Sequence, residues 1–147
     1  LTNQSLNANR GMMTMKLGKM TSTQFTESFK KLMEMKLPVK TMFKLKKISK
    51  LVTEETQNYY DTMNSYLKEY AIKDEDGNPL VKQVGTQTMV NIVPGKIEEY
   101  NGKFKELNDV EIEFDGLTFS DFGSEETNTL TTMDLTVLEF ITERNDA

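Results

Sequence analysis

Apolar residues along the chain recur at alternating spacing in some stretches and at helical spacing in others, and each stretch predicts an element. Met13, Met15 and Leu17 alternate with polar neighbours ahead of Gly18, which predicts a short strand over residues 14–17, extending back to Met13. Thr21, Ser22 and Thr23 then offer N-cap hydroxyls, and Thr21 stands at capping-box distance from Gln24. Phe25, Phe29, Leu32 and Met33 follow as one apolar stripe, so a helix starts here and breaks near Leu37. Pro38 cannot continue that helix but suits the first turn of a new one. Residues 39–72 hold neither Gly nor Pro. Met42, Leu45, Ile48, Val52, Tyr59, Met63, Tyr66 and Tyr70 recur there mostly three or four residues apart. One continuous helix over about residues 39–73 is expected, roughly 50 Å long at 1.5 Å per residue, with a polar middle at residues 53–58.

The second half is more broken. Asp74-Glu75-Asp76-Gly77-Asn78-Pro79 stops the long helix, because Gly accepts a left-handed conformation and Pro cannot extend the hydrogen-bond ladder. Residues 80–93, rich in Val, Ile and Thr around Gly85, predict a hairpin. Pro94-Gly95 opens a third helix with Ile97, Tyr100, Phe104 and Leu107 on one stripe, despite Gly102 in its interior. Val110, Ile112 and Phe114 alternate with Glu111, Glu113 and Asp115 as a half-buried strand, and Gly116 turns it. Leu117 and Phe119 extend or pair with that strand. Residues 124–129 read as a polar loop, and Thr131 with Asp134 caps a short final helix through Ile141. The expected fold class is α+β: two to three helices, one very long, packed on a small, mostly antiparallel sheet.

Charge changes this picture more than composition does. The chain of 147 residues is 37% hydrophobic and 28% charged, the size and balance of one folded domain. Residues 1–50 carry 11 basic and 2 acidic side chains, whereas residues 51–147 carry 7 basic and 21 acidic ones. Lys40, Lys44, Lys47 and Lys50 on the long helix form a candidate basic interaction face. Such a face can neutralise phosphates, but the chain lacks an arginine-rich or groove-reading motif, and the acidic second half can fold against the basic first half. With no Cys and no His, thiolate nucleophiles, the commonest general base and the commonest metal ligands are missing.

The remaining constellations read as structure. Asp74, Asp76 and Asn78 offer oxygen ligands, but Gly85 stands where an EF-hand loop needs its bidentate Glu. Adjacent Glu54-Glu55, Glu98-Glu99 and Glu125-Glu126 do not converge on one substrate atom. Tyr59, Tyr60, Tyr66 and Tyr70, interleaved with Met63 and Leu67, predict a packing seam rather than a platform for bases. No enzymatic activity, cofactor or metal is expected. No run of about 18 apolar residues is present, so no membrane span is expected either.

The order of features resembles a known group. Leu37-Pro38-Val39-Lys40, Phe43-Lys44-Leu45-Lys46-Lys47-Ile48, and Tyr70 followed by Lys73-Asp74-Glu75-Asp76-Gly77-Asn78 carry the likeness, with Val110-Glu111-Ile112-Glu113 and the segment 130–141. The chain resembles phage and prophage proteins of unknown function from tailed phages of Gram-positive bacteria, over most of residues 15–141. The resemblance implies a late or morphogenesis gene product and transfers no catalytic or binding residue. The expected role is protein interaction, as a virion accessory or assembly factor, with other phage proteins or a second copy as partner. The alternative is a small regulator that binds host machinery or nucleic acid through the lysine-rich helices. The expected location is the host cytoplasm, with the virion as a second site.

Met12, Met13 and Met15 each offer an initiation codon, and Arg10-Gly11 can be encoded by a purine-rich ribosome-binding stretch. Residues 1–13 are therefore expected to be a disordered leader, with the true start at Met12, Met13 or Met15, and residues 14–147 a single α+β domain. Mass spectrometry of the native N terminus checks this: a chain starting at one of these methionines is expected, and recovery of Leu1 to Arg10 contradicts it.

Overall fold

The computed structural model describes residues 12–122 and 130–142. In chain order the elements are β1 (Met12–Lys16), α1 (Leu17–Met20), α2 (Thr23–Met33), α3 (Val39–Tyr70), β2 (Val81–Val84) and β3 (Gln87–Val90). There follow α4 (Ile97–Asn108), β4 (Glu111–Asp115), β5 (Leu117–Thr118), a 3-10 turn (Phe119–Phe122), α5 (Thr132–Leu138) and β6 (Ile141–Thr142). The class is α+β, as the spacing predicts. Residues 1–11 of the expected leader at 1–13, and the polar loop at 124–129, lie outside the described residues. Met12 and Met13 already belong to β1, two residues ahead of the expected boundary.

The long helix is unbroken for 32 residues. Thr41, Leu45, Ile48, Tyr59 and Tyr70 are its buried residues, a single stripe at helical spacing. Met42, counted with that stripe from sequence, instead faces out. Thr41 takes the inward position, and its hydroxyl donates to the Asp121 carbonyl. The helix stops at Tyr70 rather than near 73 because Ala71 turns extended and bridges Ile92, while the Ile72 N–H donates to the Asn91 carbonyl at 2.9 Å. Strand-type partners beyond Tyr70 win over one more helical turn.

Strands among the described residues form three two-stranded pieces rather than one sheet. β1 pairs antiparallel with β4, from Met12 opposite Asp115 to Lys16 opposite Glu111. β2 and β3 form the expected hairpin, with Gly85 in the left-handed region at the turn. β5 and β6 pair in parallel. The segment expected to be helical through Ile141 leaves the helix after Leu138: Glu139 adopts φ 58°, a conformation that costs a non-glycine residue energy. The turn delivers Phe140 to the core, fully buried, with its ring 5.6 Å from Phe114 and 6.2 Å from both Phe25 and Phe29. Around it gather Met15, Met20, Leu32, Leu45, Ile48, Leu117, Phe122 and Leu138, drawn from nearly every element. A smaller cluster of Leu17, Tyr59 and Leu107, flanked by Met63, Tyr66 and Phe104, joins α1 and α4 to the second half of α3.

Two local expectations are corrected. The cap of α2 is Ser22, whose hydroxyl accepts from the Phe25 N–H at 3.3 Å, while Thr21 donates back to the Leu17 carbonyl at 3.0 Å and closes α1. The Thr21–Gln24 box is therefore not formed. Gly18 does not end a strand but sits inside α1, where a Cβ would meet Asn108 Oδ1 at 2.4 Å. That oxygen accepts the Tyr59 hydroxyl at 2.9 Å, so the glycine lets α1 close on the end of α4 without displacing this partly buried bond. Replacing Gly18 with Ala should therefore lower stability by about 1–3 kcal/mol through overpacking, outweighing the gain of up to about 1 kcal/mol that Ala brings to a helix interior. Urea denaturation checks it, and a variant as stable as the parent contradicts the close approach.

Candidate interaction site

Four ion pairs join the basic first half of the chain to the acidic second half: Lys16–Asp109, Lys19–Glu139, Lys31–Asp134 and Lys44–Asp121. The charge segregation visible in the sequence is thus partly consumed within the fold. Asp134 is the most deeply held of these groups, only 5% exposed. Its Oδ2 accepts the Thr131 N–H and the Lys31 ammonium, each at 2.9 Å, and its Oδ1 accepts the Ser28 hydroxyl at 2.7 Å. Its own N–H donates to Thr131 Oγ1 at 3.1 Å, completing the capping box expected from sequence. These donors, with the Thr131 N–H foremost, hold the Asp134 carboxyl well below the usual carboxylate range. A carboxylate so saturated takes no proton from Ser28 at neutral pH, so the trio acts as a tether between α2 and α5.

The candidate lysines do not form one uniform face. Lys44 lies at the edge of the buried stripe and donates to Asp121 Oδ1 at 2.9 Å. Burial opposes ionisation of Asp121, but the Thr118 N–H and Lys44 outweigh it and keep its carboxyl below the ordinary range. Lys40, Lys47 and Lys50 are exposed, and no ion pair to them is formed among the described residues. Sequence reasoning missed their companions. Val39 is 67% exposed, Met42 52% and Phe43 61%, all on the first two turns of α3. Val39, Phe43, Lys46 and Lys50 succeed one another at helical steps on the side opposite Thr41, Leu45 and Ile48. Phe43, Lys46, Lys47, Ser49 and Lys50 border one shallow depression. The missed signal is that Thr41, Leu45, Ile48 and Val52 make the better inward stripe, which turns Met42 and Phe43 outward.

The other candidate constellations resolve as structure. Asp74 Oδ1 accepts the N–H groups of Asp76 and Asn78 at 2.9 and 3.0 Å, and Gly77 has φ 83°, so this segment is a turn held by its own backbone. Among the described residues no group of three or more acidic side chains could hold a metal ion. Glu54, Glu98 and Glu99 are exposed, and Glu125-Glu126 lies outside the described residues. Tyr59 and Tyr70 are buried in the seam, whereas Tyr60 is half exposed. Burial, with Glu99 alongside, pushes the Tyr70 phenol up to about 12. No described helix is long and apolar enough to cross a membrane. No protein-family model, curated protein or solved structure matches the chain.

Because Asp134, Asp121 and Asp109 all have lowered values in the folded chain, their contribution to stability is present above the ordinary carboxylate range and is lost as pH falls through and below it. Thermal unfolding followed by circular dichroism should show a melting temperature that drops from about pH 5 downward. Asp134→Asn should melt lower at pH 7 and lose less on acidification than the parent. A parent melting temperature unchanged between pH 7 and pH 3 contradicts the tether.

Proposed function

We propose that this protein is a non-enzymatic interaction protein that docks onto another protein through the outward face of α3, as a virion accessory or assembly factor of a tailed phage. The observation that carries the reading is the mixture on that face: Val39, Met42 and Phe43 lie exposed among Lys40, Lys46, Lys47 and Lys50. Apolar side chains left in water on a rigid helix gain free energy when covered, and a ring of lysines selects an acidic rim on whatever covers them. A nucleic-acid backbone would use the lysines but leave the apolar residues wet, so an acidic protein surface is the better complement. The phage context rests on the resemblance in sequence order.

Exchanging Lys40, Lys47 and Lys50 for Glu, with Lys44 left in place to keep Asp121 paired, should change folding stability by no more than about 0.5 kcal/mol per substitution and remove the protein from purified particles or assembly intermediates, as read by quantitative proteomics. Undiminished incorporation of the variant contradicts the reading. Salt-sensitive binding of single- or double-stranded DNA by the parent, lost in the variant, transfers the face to the regulatory alternative.

A further inference from the structure

A second surface lies where α3 meets β4, and it shares Lys47 with the outward face of α3. β4 pairs with β1 along one edge only, and no described strand pairs with its other edge. The hydrogen-bond phase of the ladder fixes which backbone groups that edge offers. The Leu17 N–H donates to the Val110 carbonyl at 2.8 Å, so Val110 is an inward-bonding position, and the period of two makes Ile112 and Phe114 inward-bonding as well. The N–H and C=O groups of Glu113 and Asp115 therefore point away from β1.

The same stretch of β4 lines a groove of about 450 Å³. Glu113, Phe114, Asp115 and Gly116 form its strand wall, and Lys44, Lys47, Ile48 and Leu51 of α3 form its helix wall. A strand edge facing a helix across a groove is the arrangement by which an extended peptide joins a sheet, with main-chain bonds supplying affinity and alternate side chains supplying selectivity. The side chains of Glu111, Glu113 and Asp115 are exposed on the outer face of β4, while Phe114 is buried on the inner one. A residue bonded opposite Glu113 or Asp115 would share their acidic outer face, and the residue between would turn inward over Phe114, Ile48 and Leu51.

A second copy of β4 does not fit this edge. It would set acidic residues opposite acidic residues, a pairing that is destabilising and that natural sheets use to block self-association. We infer that the free edge of β4 accepts an extended segment of another protein in which basic and apolar residues alternate, added as a third strand to the β1–β4 ladder.

An acetylated hexapeptide alternating lysine and valine is the probe, titrated at low salt and followed by amide hydrogen exchange. In the free protein the amides of Ile112 and Phe114 should exchange slowly and those of Glu113 and Asp115 fast. On peptide binding the latter two should become protected. The same peptide N-methylated at its lysine backbone nitrogens should fail to protect them, and the double variant Glu113→Lys/Asp115→Lys should bind at least about tenfold more weakly. Absence of binding, binding that leaves Glu113 and Asp115 unprotected, or equal binding of the N-methylated peptide overturns the proposal.

Discussion

Among the described residues only one side of α3 is covered, and the rest of their arrangement follows from that constraint. A helix of 32 residues spans about 48 Å at 1.5 Å per residue. The elements around it converge on the stripe of Thr41, Leu45, Ile48, Tyr59 and Tyr70. Near its start, the 3-10 turn, α2 and the Phe140 segment share the larger apolar cluster with Leu45 and Ile48. Further along, α1 and α4 close on Tyr59. No described element covers the opposite side, and on its first turns the sequence places Val39, Met42 and Phe43 there instead of an all-polar row.

Electrostatics gives the fold its register more than its strength. Lys16–Asp109 and Lys19–Glu139 are partly exposed, and pairs of that kind contribute little in water. Asp134 is different, because it is buried and satisfied by three donors from two elements. Its bonds place α5 on α2, and that placement positions the turn at Glu139 from which Phe140 enters the core. The segregation of lysines from carboxylates along the chain is in this sense a folding instruction: late acidic segments return to early basic helices. Among the early lysines that form no ion pair within the described residues, Lys40, Lys46, Lys47 and Lys50 lie on the uncovered side of α3.

Elements with a long or strict period are legible in the amino-acid pattern, and those set by long-range geometry are not. The gap-free run after Pro38 specifies α3, the alternation from Val110 to Phe114 specifies β4, and Thr131 with Asp134 specifies the cap of α5. The end of α3 is displaced because Ala71 and Ile72 find partners around Ile92, some twenty residues away. Gly18 carries no local sign that Asn108 will approach it. The departure of Phe140 from helix is equally hidden, since Glu139 is an ordinary helix former held at positive φ by its surroundings. The lysines of the candidate site are plain in the sequence, but the exposure of Met42 and Phe43 depends on Thr41 taking the inward position, a choice settled by its bond to Asp121.

Reductive methylation of lysines in the native setting reads out whether the open side of α3 is a contact surface in the working protein. Purified protein and protein in extracts of the cells that naturally produce it would be labelled in parallel and read by mass spectrometry. Lys40, Lys47 and Lys50 should react freely in the purified chain and be shielded in the extract, while Lys82 on the exposed hairpin reacts equally in both. Equal reactivity of Lys40, Lys47 and Lys50 in the two samples would contradict it.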